Sequence, residues 1–290
     1  MIFRPERAQV RPAVEADRPA LRLLLRSPVR IHLHTDWRTA DDYLGDAPYL
    51  VAEHNRWLVA CLACPPDPPP AAWVRLAALA DGRPMRDFTA LVEAGLAALG
   101  ELGAQELNIL GPERWLLALL RDMGFQPLVD VITYLRENGP IPDQGARDVD
   151  IRPAQPEDLA ALIPLDAAAF EPRWRHSAAM LRAAYRQVVS FDIAWLEGRP
   201  VGYQFSSIYG RYGHIGRLAT HPEVQRRGIG TRLLVAALTA LKRHGAVAVT
   251  LNTQADNWAS RRLYQRFGFR LTEEKATVWH RRVGPDPVSP

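Results

Sequence analysis

Lysine is almost missing from this 290-residue chain: Lys242 and Lys275 are the only two, so arginine carries the basic charge. The net charge of +4 is small for the length, and no basic run is interleaved with aromatics, which argues against a nucleic-acid surface. Cysteine is as scarce. Cys61 and Cys64 form one C-x-x-C with no second pair and no nearby histidine, which excludes a disulfide framework and gives no basis for a metal site. They lie in and just after Trp57–Ala63, an apolar stretch that reads as a strand. Positions three apart on a strand face opposite sides, so two separately buried thiols are expected. No apolar run reaches membrane-spanning length, so no membrane partner is expected. The first residues, Met1-Ile2-Phe3-Arg4-Pro5-Glu6, contain no apolar core. No secretory signal is therefore expected, and the cytoplasm is the expected compartment.

What the chain does contain is a globular composition, with 48% apolar and 23% charged residues, over a length that suits two domains. The two domains read as copies of one unit. Val10-Arg11-Pro12-Ala13 recurs as Ile151-Arg152-Pro153-Ala154, and Arg75-Leu76-Ala77 as Arg217-Leu218-Ala219. Thr89, Leu91, Leu96 and Gly103 match Thr231, Leu233, Leu238 and Gly245, and Gly124-Phe125 matches Gly268-Phe269. Between the copies, Glu137 to Gly145 is rich in Pro, Gly and polar residues without periodicity, which marks a linker. The expected division is 1–137, a linker at 138–149, and 150–290. Each copy reads as α/β, with strands and helices in an order that suits a mixed sheet. In the second copy, helices are expected at 158–170, 177–187 and 259–267 and after Gly230. Strands are expected at 192–196, 200–208, 214–220, 247–251 and 270–281.

One stretch of the second copy carries a ligand signal. Gln225-Arg226-Arg227-Gly228-Ile229-Gly230 links the strand ending at Thr220 to a helix whose apolar face is Leu233, Leu234, Ala237, Leu238 and Leu241. A helix N-terminus presents unpartnered N–H groups and favours negative charge. Gly228 and Gly230 let an anion approach the main chain, and Arg226, Arg227 and Arg232 add positive charge. The reading is a phosphate or pyrophosphate site. It is no Walker loop, because no Gly-Lys-Ser/Thr follows, and it lacks the third glycine of a dinucleotide fingerprint.

This stretch, after Leu218-Ala219-Thr220-His221-Pro222, closely resembles the acetyl-CoA loop of the GNAT N-acetyltransferases. A second block supports the match: Asn257, Ala259 or Ser260, Leu263-Tyr264 and Gly268-Phe269 follow in the order common in that family. The resemblance covers roughly residues 151–281. It implies two tandem GNAT-like domains, each a mostly antiparallel mixed sheet flanked by helices. It implies acetyl-CoA as co-substrate, held by Leu218, Ala219, Thr220, Gln225, Arg226, Arg227, Gly228, Ile229, Gly230, Thr231, Asn257 and Ser260. Tyr264 becomes the candidate donor of a proton to the leaving thiolate, or an aromatic packed on the sheet. Asn257 also suits a helix N-cap. An attacking amine must lose its proton, and His214, at the start of the strand entering the site, is the candidate base. Phe170 and Trp174 resemble the aromatic loop that lines the acceptor groove in many of these enzymes, or they cover the core.

The first copy has lost this loop. Its counterpart is Arg83-Pro84-Met85-Arg86-Asp87-Phe88, with no glycine, a proline without an N–H, and an aspartate that repels phosphate. It is expected to be structural or to shape the acceptor site. The expected activity is acetyl or acyl transfer to a primary amine of a small molecule or peptide. The alternative is a non-catalytic acyl-CoA sensor. The chain is expected as a monomer with pseudo-dimeric domains or as a homodimer.

Overall fold

The computed structural model describes residues 7–26 and 29–284. The first copy runs β1 (Gln9–Pro12), α1 (Arg18–Arg26), β2 (Val29–Leu33), β3 (Tyr49–His54), β4 (Trp57–Ala63), β5 (Ala71–Trp73) and β6 (Leu76–Ala80). It continues with α2 (Met85–Glu101), β7 (Glu106–Leu110), α3 (Arg114–Asp122) and β8 (Gln126–Glu137). The second runs β9 (Asp150–Pro153), α4 (Leu159–Ala169), α5 (Ala178–Gln187), β10 (Ser190–Leu196), β11 (Arg199–Tyr209) and β12 (Tyr212–Thr220). Then come α6 (Ile229–Arg243), β13 (Ala248–Gln254), α7 (Trp258–Arg266) and β14 (Arg270–Arg282). The order repeats, except that β2 stands where α5 stands and that β5 and β6 together stand where β12 stands. Among the described residues, no helix is long and apolar enough to cross a membrane.

Two compact units form, and neither is a continuous stretch of chain. One contains the described residues up to Leu128 and those from Thr277 onward; the other is Val129–Ala276. The repeat alone suggested 1–137 and 150–290. The difference comes from exchanged last strands. Residues Val131–Glu137 of β8 pair antiparallel with β13, from Gln254 to Ala248. Residues Val278–Arg282 of β14 pair antiparallel with β7, from Leu110 to Glu106. Each copy's final strand thus joins the other copy's unit.

In the first unit, β1-β3-β4-β6-β2 form a five-stranded sheet with every neighbour antiparallel. Side-chain alternation divides its residues between two cores. Val51, Cys61, Ala63, Leu76 and Ala78 pack with Leu21 and Leu24 of α1. Leu50, Ala52, Leu62, Ala77 and Leu79 pack with Phe88 and Leu91 of α2. Cys61 falls in the first cluster and Cys64 in the second, both fully buried and unbonded, as their spacing predicts. Burial pushes both thiols up to about 12. The proline-rich run after Cys64 connects β4 to β5.

The second unit orders its strands β8-β13-β12-β11-β10-β9, and the parallel neighbours are β12 and β13. Its helices lie on opposite faces. A side chain at Gly202 would meet Leu233 and Ile229 of α6, while the hydroxyl of its neighbour Tyr203 donates to Asp166 of α4 at 2.5 Å. Between Phe205 and Ser206 the pairing slips, because Phe205 opposes Arg217 and Ser206 opposes Ile215, leaving Gly216 as an extra residue on β12. A bulge bends a strand and increases its twist. Pairing of β12 with β13 runs from Tyr212–Ala248 to Ile215–Leu251 and stops there, one residue before the bulge. From Gly216 to Thr220, among the described residues, the side of β12 away from β11 has no strand on it.

The first unit treats the matching edge differently. There β5 pairs with β7 up to Trp73–Asn108, and after Val74-Arg75 the chain resumes as β6. The edge of β6 away from β4 is taken by β2, from Leu33–Leu76 to Val29–Ala80. The gap left open in the second unit is filled in the first by a strand of the same chain.

Candidate active site

In the second unit an open cleft of about 810 Å³ lies along β12 from Leu218 onward, beyond the point where β12 and β13 part. One wall is the free side of β12, at Leu218, Ala219 and Thr220, followed by Gln225, Arg226 and Gly228 to Thr231. The other is Asn257, Ala259, Ser260, Arg262, Leu263 and Arg266 at α7; Ala169 and Phe170 close one end. The first intrahelical bond of α6 is donated by Arg232 N–H to the Gly228 carbonyl, at 3.0 Å. The amides of Ile229, Gly230 and Thr231 precede it and have no partner within the helix. Three main-chain donors at a helix N-terminus, with guanidinium groups beside them, fit a diphosphate. The unpaired edge of β12 fits an extended chain bearing amides.

The two glycines do different work. Gly228 caps α6 at φ 85°, a left-handed conformation that side chains rarely adopt. A Cβ there would sit 2.9 Å from the Ala146 nitrogen, and one on Gly145, at φ 105°, would sit 2.6 Å from the Arg232 nitrogen. Two backbones meet, and Ala146 N–H donates to the Gly228 carbonyl at 3.1 Å. At Gly230 a Cβ would meet only the Thr220 hydroxyl, at 3.3 Å. So Gly228 is required by the chain itself, and Gly230 is the one that leaves the cleft wall bare. The expected linker is therefore part of the cleft, where Gln144 and Gly145 line it. Its aspartates also engage the loop's arginines: Arg232 pairs with Asp143 at 2.6 Å and Arg227 with Asp148 at 3.0 Å. Arg226 lines the cleft and Arg227 does not. Arg262 and Arg266, one turn apart on α7, supply cleft charge that the motif reading missed.

Asn257 lines the cleft and also caps α7, its side-chain carbonyl accepting from Ser260 N–H at 3.2 Å. Tyr264 is 6% exposed, with its ring packed against Tyr134 and Phe269. Ser260 and Leu263 reach the cleft wall; Tyr264 packs in the core behind it. Burial pushes its hydroxyl up to about 12, against the opposing effect of Ser260. His214 lies four residues before Leu218, about 13 Å along the strand. It sits at the apex where pairing ends, on the face of Arg217 and α4. Its Nδ1 is 2.9 Å from the Thr250 hydroxyl, and burial lowers its pKa below 6.5. Phe170 closes the cleft and stacks under the Arg217 guanidinium at 3.4 Å; Trp174 lies in the short 3-10 turn Pro172–Trp174 outside the lining. Arg217 also donates to Asp166 at 2.5 Å, and Asp166 is fully buried.

Residues 159–269 match the family model described as Acetyltransferase (GNAT) family. A mycothiol acetyltransferase of Acidimicrobium ferrooxidans is 31% identical over 210 residues, which span 66% of this chain and 67% of that one. The chain belongs to the GNAT acetyltransferase family. The match to a mycothiol acetyltransferase of Renibacterium salmoninarum is 26% over 174 residues and spans 46% of that protein. A tandem GNAT protein from the clavulanic acid biosynthesis pathway has the same fold over 97% of this chain and all of its own, with a TM-score of 0.61 at 18% identity.

As a tandem GNAT protein, the chain offers a direct comparison of its own two loops. The N-terminus of α2, equivalent to that of α6, is capped by Pro84 and already carries Asp87, which is 2% exposed and paired with Arg83 at 2.5 Å. A carboxylate of the protein stands in the first turn of that helix. The bulge arginine, by contrast, is kept in both GNAT units. Arg75 pairs with Asp36, to which Tyr43 donates, as Arg217 pairs with Asp166, to which Tyr203 donates. A group retained where the loop is lost serves the sheet.

Proposed function

We propose that the second unit transfers an acetyl group from acetyl-CoA to a primary amine of a small molecule, and that the first unit binds no acyl-CoA. The observation that carries this is the paired fate of one sheet edge: open beside a glycine-lined helix N-terminus in one unit, and filled by β2 beside one that carries Pro84 and Asp87 in the other. The diphosphate suits the amides of Ile229 to Thr231, with Arg226, Arg262 and Arg266 around it. The pantetheine arm suits the free edge of β12 from Thr220 towards Leu218. That direction leads the thioester to the apex beside His214.

An amine arriving as ammonium must first be deprotonated. His214, neutral at pH 7, takes that proton; the N–H bond breaks and its electron pair stays on nitrogen to attack the thioester carbonyl. The C–S bond breaks as the tetrahedral intermediate collapses; the thiolate takes a proton from Tyr264, and the phenolate left behind takes the second proton that the attacking nitrogen sheds in becoming an amide. A mycothiol acetyltransferase is similar over 66% of the chain and an N-alpha-acetyltransferase of Schizosaccharomyces pombe over 20%, which favours a small-molecule acceptor over a peptide.

The test is calorimetry with acetyl-CoA, followed by thiol release with a panel of glucosamine, tyramine, spermidine and S-methylcysteine methyl ester. One site per chain, abolished by Gly230→Asp in a folded protein, is expected. Two sites would refute the division of labour, and binding without turnover on any amine would favour a sensor. Tyr264→Phe should bind acetyl-CoA normally and lose about 10²–10⁴ in turnover. A loss under threefold would make Tyr264 a packing residue.

A further inference from the structure

A neutral imidazole accepts a proton at only one of its two nitrogens, and the hydrogen bond at the other decides which. We infer that Thr250 is a positioning residue that keeps the His214 proton on Nδ1 and so leaves the lone pair on Nε2 for the acceptor ammonium. The inference rests on His214 as the base.

Thr250 of β13 is the direct register partner of His214 of β12, in the second-last pair before the strands part. The Thr250 hydroxyl has a single proton, and it donates that proton to the Gly213 carbonyl at 3.2 Å. With the proton committed, the oxygen offers only lone pairs to His214 Nδ1, 2.9 Å away. The imidazole must then be the donor, from Nδ1–H. Among the described residues Nε2 has no hydrogen-bond partner. On the other side His214 opposes Ser207 of β11, whose buried hydroxyl has no partner either and so does not compete for the ring. The ionisable groups nearest on the same strand and face are Tyr212 and the Arg217–Asp166 pair, and Arg217 is already paired with Asp166. Proton transfer then makes an N–H bond at Nε2 and gives an imidazolium that still donates to Thr250.

Long-range proton–nitrogen spectra of the uniformly ¹⁵N-labelled full chain read the tautomer without any ligand. The His214 signals are identified by their loss in His214→Gln. At pH 8 the wild type should show Nδ1 protonated and Nε2 bare. Thr250→Val should move the proton to Nε2 or leave a mixture, and Thr250→Ser should restore it. With acetyl-CoA and the fastest amine of the panel, Thr250→Val should lower kcat about tenfold, keep KM for acetyl-CoA, and shift the acid limb of the pH profile. Nε2–H in the wild type, or an unchanged tautomer in Thr250→Val, would overturn the assignment. If Nδ1–H is found but His214→Gln turns over at the wild-type rate, the base assignment falls and the tautomer assignment stands.

Discussion

Gly228→Ala separates two reasons for a glycine in the cofactor loop. If the ligand alone requires it, the methyl group should cost binding and leave stability intact. The structure says otherwise. At φ 85° an alanine is left-handed, which costs about 1–2 kcal/mol. Its Cβ would lie 2.9 Å from the Ala146 nitrogen, a backbone atom that cannot rotate away. Relief means separating residues 145–146 from the loop and losing the Ala146 hydrogen bond to Gly228, worth about 0.5–1.5 kcal/mol net. Together these give roughly 1.5–3.5 kcal/mol. At about 2–4 °C per kcal/mol for a unit of this size, melting of the second unit should drop by roughly 3–14 °C. Gly230→Ala is the control. Its methyl would meet only the Thr220 hydroxyl, and alanine inside a helix is favoured over glycine by about 1 kcal/mol, so melting should hold or rise. The assay is thermal unfolding by circular dichroism beside an acetyl-CoA titration. An unshifted Tm with lost binding in Gly228→Ala, or greater destabilisation by Gly230→Ala, would refute the reasoning.

Asp166→Ala leaves Arg217 buried without its counter-ion, and urea unfolding should show a loss of about 3–5 kcal/mol. A loss under 1 kcal/mol would mean that the guanidinium finds water or another partner. Acid should weaken the fold through histidine. Burial holds His34 well below 6.5, with Arg75 and His32 acting in the same direction, while the unfolded chain keeps the ordinary value. The unfolded state then binds more protons, so stability is full above about pH 6.5 and falls as pH drops towards the folded value. His34→Gln should flatten that fall in pH-dependent urea titrations, and an unchanged slope would assign it to other groups.

Much of the active unit was legible because its signals are local. The loop from Gln225 to Gly230, the apolar stripe of α6 and the block from Asn257 to Phe269 each lie within one or two elements. The repeat was legible for the same reason. What could not be read depends on partners far away in sequence. Val29 to Leu33 alternates like any strand, and nothing in it says that it pairs with β6. The alternation of β14 is the same whether it closes its own unit or the other. Residues 143–148 have no periodicity, so their packing against Gly228 left no trace except a glycine at each side of the contact. Arg262 and Arg266 did leave a signal: they are spaced i, i+4 on the helix that Asn257 begins.

The exchange of last strands sets a schedule for synthesis. A ribosome delivers the first copy whole by residue 137, yet β7, paired with β5 on one edge, gets the partner of its other edge only with residues 278–282. Until then β7 offers an open edge, and the core beneath α2 and α3 lacks Trp279. The first copy therefore waits, incomplete, while the second is made, and an open strand edge is a template for pairing with other chains. A gene cut in the linker between β8 and β9 would yield two fragments, each carrying a strand that belongs to the other.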